Sequence, residues 1–121
     1  MSKASQNYLE LVSQKILALE KAQNKNLNDI SKKIFESIES GGVWNLFGSG
    51  HSHMAVEEAF HRAGGLIPIN PMLEEYLMPH AGPSRNGPME RMPGLAQIIF
   101  DYYAPKSGEV LTVISNSGIN Q

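Results

Sequence analysis

The sequence predicts an α/β fold with a parallel sheet, helices on both sheet faces, an N-terminal helical hairpin over residues 1–41, and a sheet beginning at about residue 42 that is left incomplete. Three observations carry this. The apolar period changes from helical spacing to short continuous runs after Gly41-Gly42. A strand, a turn, a helix, Gly-Gly and a second strand then follow in the order of one βαβ unit. Finally, Glu109-Val110-Leu111-Thr112-Val113-Ile114 reads as a buried strand and runs into a serine-rich loop.

Leu9, Val12, Ile16 and Leu19 recur at three and four residues, which predicts an amphipathic helix over 4–24. Leu27, Ile30, Ile34 and Ile38 mark a second, with Asn26 as its cap and Gly41-Gly42 as its stop. The apolar faces of such a hairpin need cover, part of it from a partner subunit. Val43-Trp44-Asn45-Leu46-Phe47 is the first strand, Gly48 to Ser52 a polar turn, and 53–63 a helix closed by Gly64-Gly65. The second strand is 66–70, and Pro68, which cannot donate to a ladder, makes it short or places it at the sheet edge. Residues 71–93 hold five prolines and four methionines, as expected of a binding loop, a lid or a short irregular helix. Leu95, Ile98, Ile99 and Tyr102 mark a further helix before the strand at 109–114. A parallel strand needs cover on both faces, so either the domain is truncated after Gln121 or a partner completes it.

Composition narrows the function. A chain of 121 residues holds one domain. Its net charge of −2 offers no basic field, so neither nucleic acid nor an anionic membrane is expected as a partner. The absence of cysteine excludes disulfides and Cys-ligated zinc. No apolar run approaches the roughly 20 residues that span a bilayer, and the N-terminus lacks a signal-peptide core. A soluble, cytoplasmic protein is the plain expectation.

The chemistry lies in two loops. Gly48-Ser49-Gly50-His51-Ser52 joins a strand to a helix, so its glycines admit a sharp turn and close backbone approach. The new helix offers N–H groups and the positive end of its dipole, and Ser49 and Ser52 add hydroxyls. The bland alternative is a glycine turn with Ser52 as an ordinary N-cap. Ser115-Asn116-Ser117-Gly118 follows the third strand in the same way. Both loops lie at the carboxyl ends of parallel strands, where open α/β sheets bind ligands. A dinucleotide site would want a third glycine where His53 stands and an acid where Asn70 stands. A P-loop would want Gly-Lys-Ser/Thr, which does not follow these glycines. A small phosphorylated ligand, with no cofactor, passes both tests.

Phe47-Gly-Ser-Gly-His-Ser52 and Ile114-Ser-Asn-Ser-Gly-Ile-Asn120, behind a helical N-terminus, resemble the first half of sugar isomerase (SIS) domains, phosphoheptose isomerases and uncharacterised bacterial members in particular. The resemblance implies a five-stranded, flavodoxin-like parallel sheet flanked by helices, of which this chain holds half, in a homodimer or tetramer. It further implies that Ser49, Gly50, His51, Ser52, Ser115, Asn116, Ser117 and Asn120 bind a sugar phosphate, Asn120 standing where many members have Ser or Thr. The parent would be an aldose–ketose isomerase, a related sugar-phosphate enzyme, or a regulatory module that senses a sugar phosphate; a structural dimerising fragment is the bland alternative. Phosphoheptose isomerases carry a His and, four residues on, a Glu after the first loop. Those positions here are Glu58 and Arg62, so neither that base nor that metal site carries over.

His53, Glu57 and His61 would share one helix face within about 80°. A metal could use such a face, but a solvated Glu–His pair is the plainer reading and no metal is expected. Glu58 and His61 are the weak candidates for acid–base work. Glu74, Glu75, His80 and Arg85 are the polar groups of the 71–93 segment that could close over a substrate.

Overall fold

Helix α1 (Lys3–Glu39) opens the chain's computed structural model, which describes residues 2–118. It runs unbroken through the point where the periodicity predicts a hairpin. No glycine or proline interrupts it, and asparagine costs a helix interior only about 0.7 kcal/mol relative to alanine. The Asn26 amide donates to Gln23 Oε1 (2.7 Å) and that of Asn28 to Asn24 Oδ1 (3.1 Å). These side chains bond along the helix surface instead of capping a backbone end, which corrects the expected break at Asn26. The stop falls where expected: Gly41 has φ +81, and the Gly41 and Gly42 N–H groups donate to the carbonyls of Ile38 (2.9 Å) and Ser37 (3.0 Å). That pairing is a Schellman cap.

The chain divides into two compact units, residues up to Phe35 and residues from Glu36 onward. In the first, Leu9, Ile16, Leu19, Leu27 and Ile30 are all exposed. The second is built on a three-stranded parallel sheet of β1 (Trp44–Gly48), β2 (Ile69–Met72) and β3 (Val110–Ile114), in the order β2-β1-β3. Helix α2 (His53–Ala59) connects β1 to β2. Two 3-10 turns (Glu75–Leu77 and Pro79–Ala81), α3 (Pro83–Glu90) and α4 (Leu95–Tyr103) then carry the chain to β3. The 71–93 segment is thus the irregular, partly helical stretch that its prolines predict.

Alternation along β1 sorts the core into two layers. Leu46 packs with Val56 of α2 and Ile69 on one face. Phe47 packs on the other against Met72, Leu77, Leu95 and Ile99. Helices therefore cover both faces, and the expected α/β architecture is present with its sheet incomplete. β3 is an edge among the described strands, and its Leu111 and Val113, level with Asn45 and Phe47 in register, are exposed.

Two boundaries differ from the sequence reading. β2 begins one residue after Pro68, whose carbonyl accepts the Trp44 N–H at 2.9 Å, and includes Pro71 opposite Leu46. Its edge position spares the lost donor. α2 stops at Ala59 because Phe60 is extended (φ −91, ψ 141) and His61 is left-handed (φ 54); no glycine or proline marks that stop.

A polar ladder ties the amino ends of the strands together. The Asn70 amide donates to Asn45 Oδ1 (2.8 Å), and the fully buried Asn45 donates to Glu109 Oε2 (3.1 Å). Glu109 also accepts the backbone N–H groups of Lys106 (2.9 Å) and Val43 (3.3 Å). These bonds, the one from Lys106 first, hold its carboxyl below the usual carboxylate range. Trp44 Nε1 donates to Thr112 Oγ1 at 2.9 Å, pinning β1 to β3.

Candidate functional site

The strand order creates a switch point. From β1 the chain goes to β2 on one side, then returns to β3 on the other, so the carboxyl ends of β1 and β3 lie side by side. Open α/β sheets bind ligands at this place. Gly48 pairs with Ile114 in register, which brings the two serine loops side by side.

Gly48 is dictated by sterics. A Cβ there would lie 2.7 Å from the Ser52 carbonyl oxygen and 2.8 Å from its carbon, both backbone atoms. The chain then folds back tightly: Ser49 is extended (φ −99, ψ 165), Gly50 is left-handed (φ +55), and the Ser52 N–H reaches the Ser49 carbonyl at 3.1 Å. Gly50–Ser52 form one 3-10 turn and α2 follows directly. At seven residues α2 is short for the macrodipole invoked from sequence.

In the second loop, Ser115 Oγ accepts the Gly118 N–H at 2.8 Å, and Gly118 is left-handed (φ +66). Ser49 and Ser115 both line a cavity of about 360 Å³ beside Gly118. Its remaining wall is apolar and includes Phe47, Phe100, Leu111 and Val113. Ser52 is half-buried, while His51, Asn116 and Ser117 are exposed on the same two loops. Asn120 lies outside the described residues.

The helical candidates go elsewhere. Glu58 forms an ion pair with Arg62, and both line a separate surface cavity with Trp44 and Gly65. His61 follows the end of α2, its ring 5.8 Å from that of Phe60. The early stop of α2 therefore removes His61 from the face it was expected to share with His53 and Glu57. His53 itself is buried (3% exposed) and its Nδ1 is bonded to the Gly50 carbonyl. A carbonyl only accepts, so Nδ1 carries the proton and Nε2 faces Glu57 Oε1 at 3.6 Å. Among the described residues, no three His, Asp or Glu side chains converge as a metal site.

Of the four polar groups singled out in 71–93, only His80 reaches the first loop's surroundings, its ring 5.2 Å from that of His53. Arg85 bonds to the Ala81 carbonyl (3.2 Å) and Glu75 is exposed. Glu74 bonds to Tyr76 and Tyr103; with burial as the larger cause, it helps push Tyr76 up to about 12. Sequence reasoning missed Glu90, the last residue of α3, whose carboxylate lies against Gly50. Forty positions of sequence, with α2, β2 and most of α3 among them, separate the two, and no spacing rule links them.

The sequence profile of the SIS domain family matches residues 7–121. A UPF0309 protein of Halalkalibacterium halodurans is 43% identical over 104 residues, covering 86% of this chain and 41% of that protein. UPF0309 proteins of Geobacillus kaustophilus (37% over 113 residues; 93% and 45%) and Listeria innocua (38% over 114 residues; 94% and 46%) are similar in the same way. The chain thus spans less than half the length of these relatives. No helix among the described residues is long and apolar enough to cross a membrane. SIS domains as a class bind phosphosugars, and with their profile matched over nearly its whole length, this chain belongs to the SIS domain family.

Proposed function

We propose that this chain is the phosphosugar-binding half of a sugar-phosphate isomerase or a related sugar-phosphate enzyme. The observation that carries the reading is the meeting of Ser49 and Ser115, from two different strand ends, in the wall of one cavity. In this reading the phosphate sits between the two loops. It accepts hydrogen bonds from the hydroxyls of Ser49, Ser52, Ser115 and Ser117, the Asn116 amide and N–H groups of the two loops. Charge-assisted bonds of this kind are about twice as strong as neutral ones. His51 and Asn120 belong to the same set. The apolar wall gives the carbon chain of the ligand a surface on which to pack. The exposed stripe of α1 supports assembly as a homo-oligomer, in which that apolar surface leaves water.

A regulatory module that senses the sugar phosphate is the second reading. It is favoured by the Glu58–Arg62 ion pair, which occupies the helix positions used for chemistry in phosphoheptose isomerases and lies outside the cavity.

Isothermal titration of the intact protein with fructose 6-phosphate, glucose 6-phosphate and glucosamine 6-phosphate tests the common core of both readings. At least one ester should bind, and the double variant Ser49→Ala/Ser115→Ala should weaken it at least about tenfold, the loss of one to two good hydrogen bonds to a charged group. No heat with any ester, or an unchanged affinity in the double variant, would remove the phosphosugar assignment.

A further inference from the structure

We infer that Glu90 is the residue by which this site distinguishes a sugar phosphate from bare phosphate, its carboxylate accepting hydrogen bonds from the hydroxyls of the ligand. The inference rests on the phosphosugar reading above and assigns the other end of the ligand.

Glu90 lies against the first loop: a Cβ built on Gly50 would stand 2.9 Å from Glu90 Oε1. Glu90 and Ser49 line one small recess of about 50 Å³. Phe47, Ser49, Ala96 and Ile99 belong both to that recess and to the 360 Å³ cavity, so the two adjoin along a shared wall. Asn86, one turn earlier on α3, donates to Glu90 Oε1 (3.3 Å) and to the Leu77 carbonyl (2.5 Å), orienting the carboxylate from behind.

The chemistry then selects the ligand class. A carboxylate is an acceptor on both oxygens, matching two neighbouring hydroxyls that both donate. A second phosphate or carboxylate at that position meets a like charge at short range and is disfavoured. One anion held by the serine loops, followed by a hydroxyl-bearing chain that ends near Glu90, satisfies both constraints. Sugar monophosphates fit that description; inorganic phosphate and sugar bisphosphates do not.

The measurement is the ratio of two affinities on the intact protein: inorganic phosphate against the tightest-binding of fructose 6-phosphate, glucose 6-phosphate and glucosamine 6-phosphate. Glu90→Gln keeps the shape and removes the charge. It should weaken the ester about tenfold or more, the scale of a hydrogen bond to a charged acceptor, while phosphate binds equally well or better because a nearby negative charge is gone. Should Glu90→Gln fail to fold, Glu90→Asp, which keeps the charge but withdraws it by one methylene, carries the same comparison. An unchanged ester affinity, or equal losses for ester and phosphate in a folded variant, overturns the assignment and leaves Glu90 as a brace for the loop. A wild-type protein that binds phosphate and no ester more tightly also overturns it. A wild-type protein that binds neither instead overturns the phosphosugar reading itself.

Discussion

Substituting Gly48 by alanine tests whether the first loop is built by close backbone approach. The added Cβ would lie 2.7 Å from the Ser52 oxygen, 2.8 Å from the Ser52 carbon and 3.1 Å from the His53 nitrogen. All three are backbone atoms in the turn that carries the hydroxyls, so no side-chain rotation relieves the clash. The 3-10 turn must move away by a few tenths of an ångström. Overpacking of this kind costs about 1–3 kcal/mol, or roughly 4–8 °C in Tm per kcal/mol for a domain near this size. The same movement displaces Ser49 and Ser52 from Ser115. Gly41 supplies the control: its φ of +81 is left-handed, yet nothing lies within 4 Å of its virtual Cβ. Gly41→Ala should therefore cost only the conformational term, about 1 kcal/mol. Thermal melts followed by circular dichroism, with isothermal titration of the tightest-binding sugar phosphate, give both readouts. Gly48→Ala should melt below Gly41→Ala and bind at least about tenfold more weakly, a loss of 1.4 kcal/mol at the ligand. Equal melting temperatures together with an unchanged affinity would refute the steric argument.

Two further predictions concern the sheet and the α4 cap. Bonds from Lys106, Asn45 and Val43 lower the Glu109 pKa from its usual 4.5; the ionised form is favoured by folding, so its stabilisation is present above pH 4.5 and lost as pH falls through the lowered value. The Tm gap between wild type and Glu109→Gln should be widest near neutrality and shrink below pH 4.5, and a gap that widens on acidification would reverse the sign. Ala104 caps α4 in the left-handed region (φ 43), where glycine avoids a cost of about 1–2 kcal/mol at some entropic expense. Ala104→Gly should raise Tm by a few degrees, and a lower Tm would show that the Ala104 methyl group makes contacts worth more than that strain.

The legible parts of this fold are those fixed locally. Gly41-Gly42 ends a helix because glycine admits the left-handed cap, and Val110–Ile114 is a strand because its branched residues sit in a sheet. Both loops could be named from sequence since glycine and serine after an apolar strand restrict what the backbone can do. What could not be read was decided at a distance or by small margins. Whether helix continues through Asn24, Asn26 and Asn28 depends on fractions of a kcal/mol, a margin that periodicity does not resolve. The inward turn of His53 onto Gly50 has no sequence signature, since buried and exposed histidines look alike in a helical pattern. Glu90 was hidden for a topological reason: it meets Gly50 only because the segment after β2 folds back over the β1 loop.

The two ends of the sheet serve different purposes, and the second depends on the first. Asn70, the buried Asn45 and Glu109 link all three strands at their amino ends, in a partly buried network that one register only can satisfy. A slip of β3 by one residue would separate Glu109 from Asn45 and turn its side chains to the opposite face. It would also move Ile114 away from Gly48 by the rise of one residue, about 3.3 Å. Ser115 would then leave Ser49 by more than the length of a hydrogen bond. In the reading proposed above a phosphate takes donors from both loops at once, so the polar ladder holds the spacing on which that reading depends without touching the cavity between the loops.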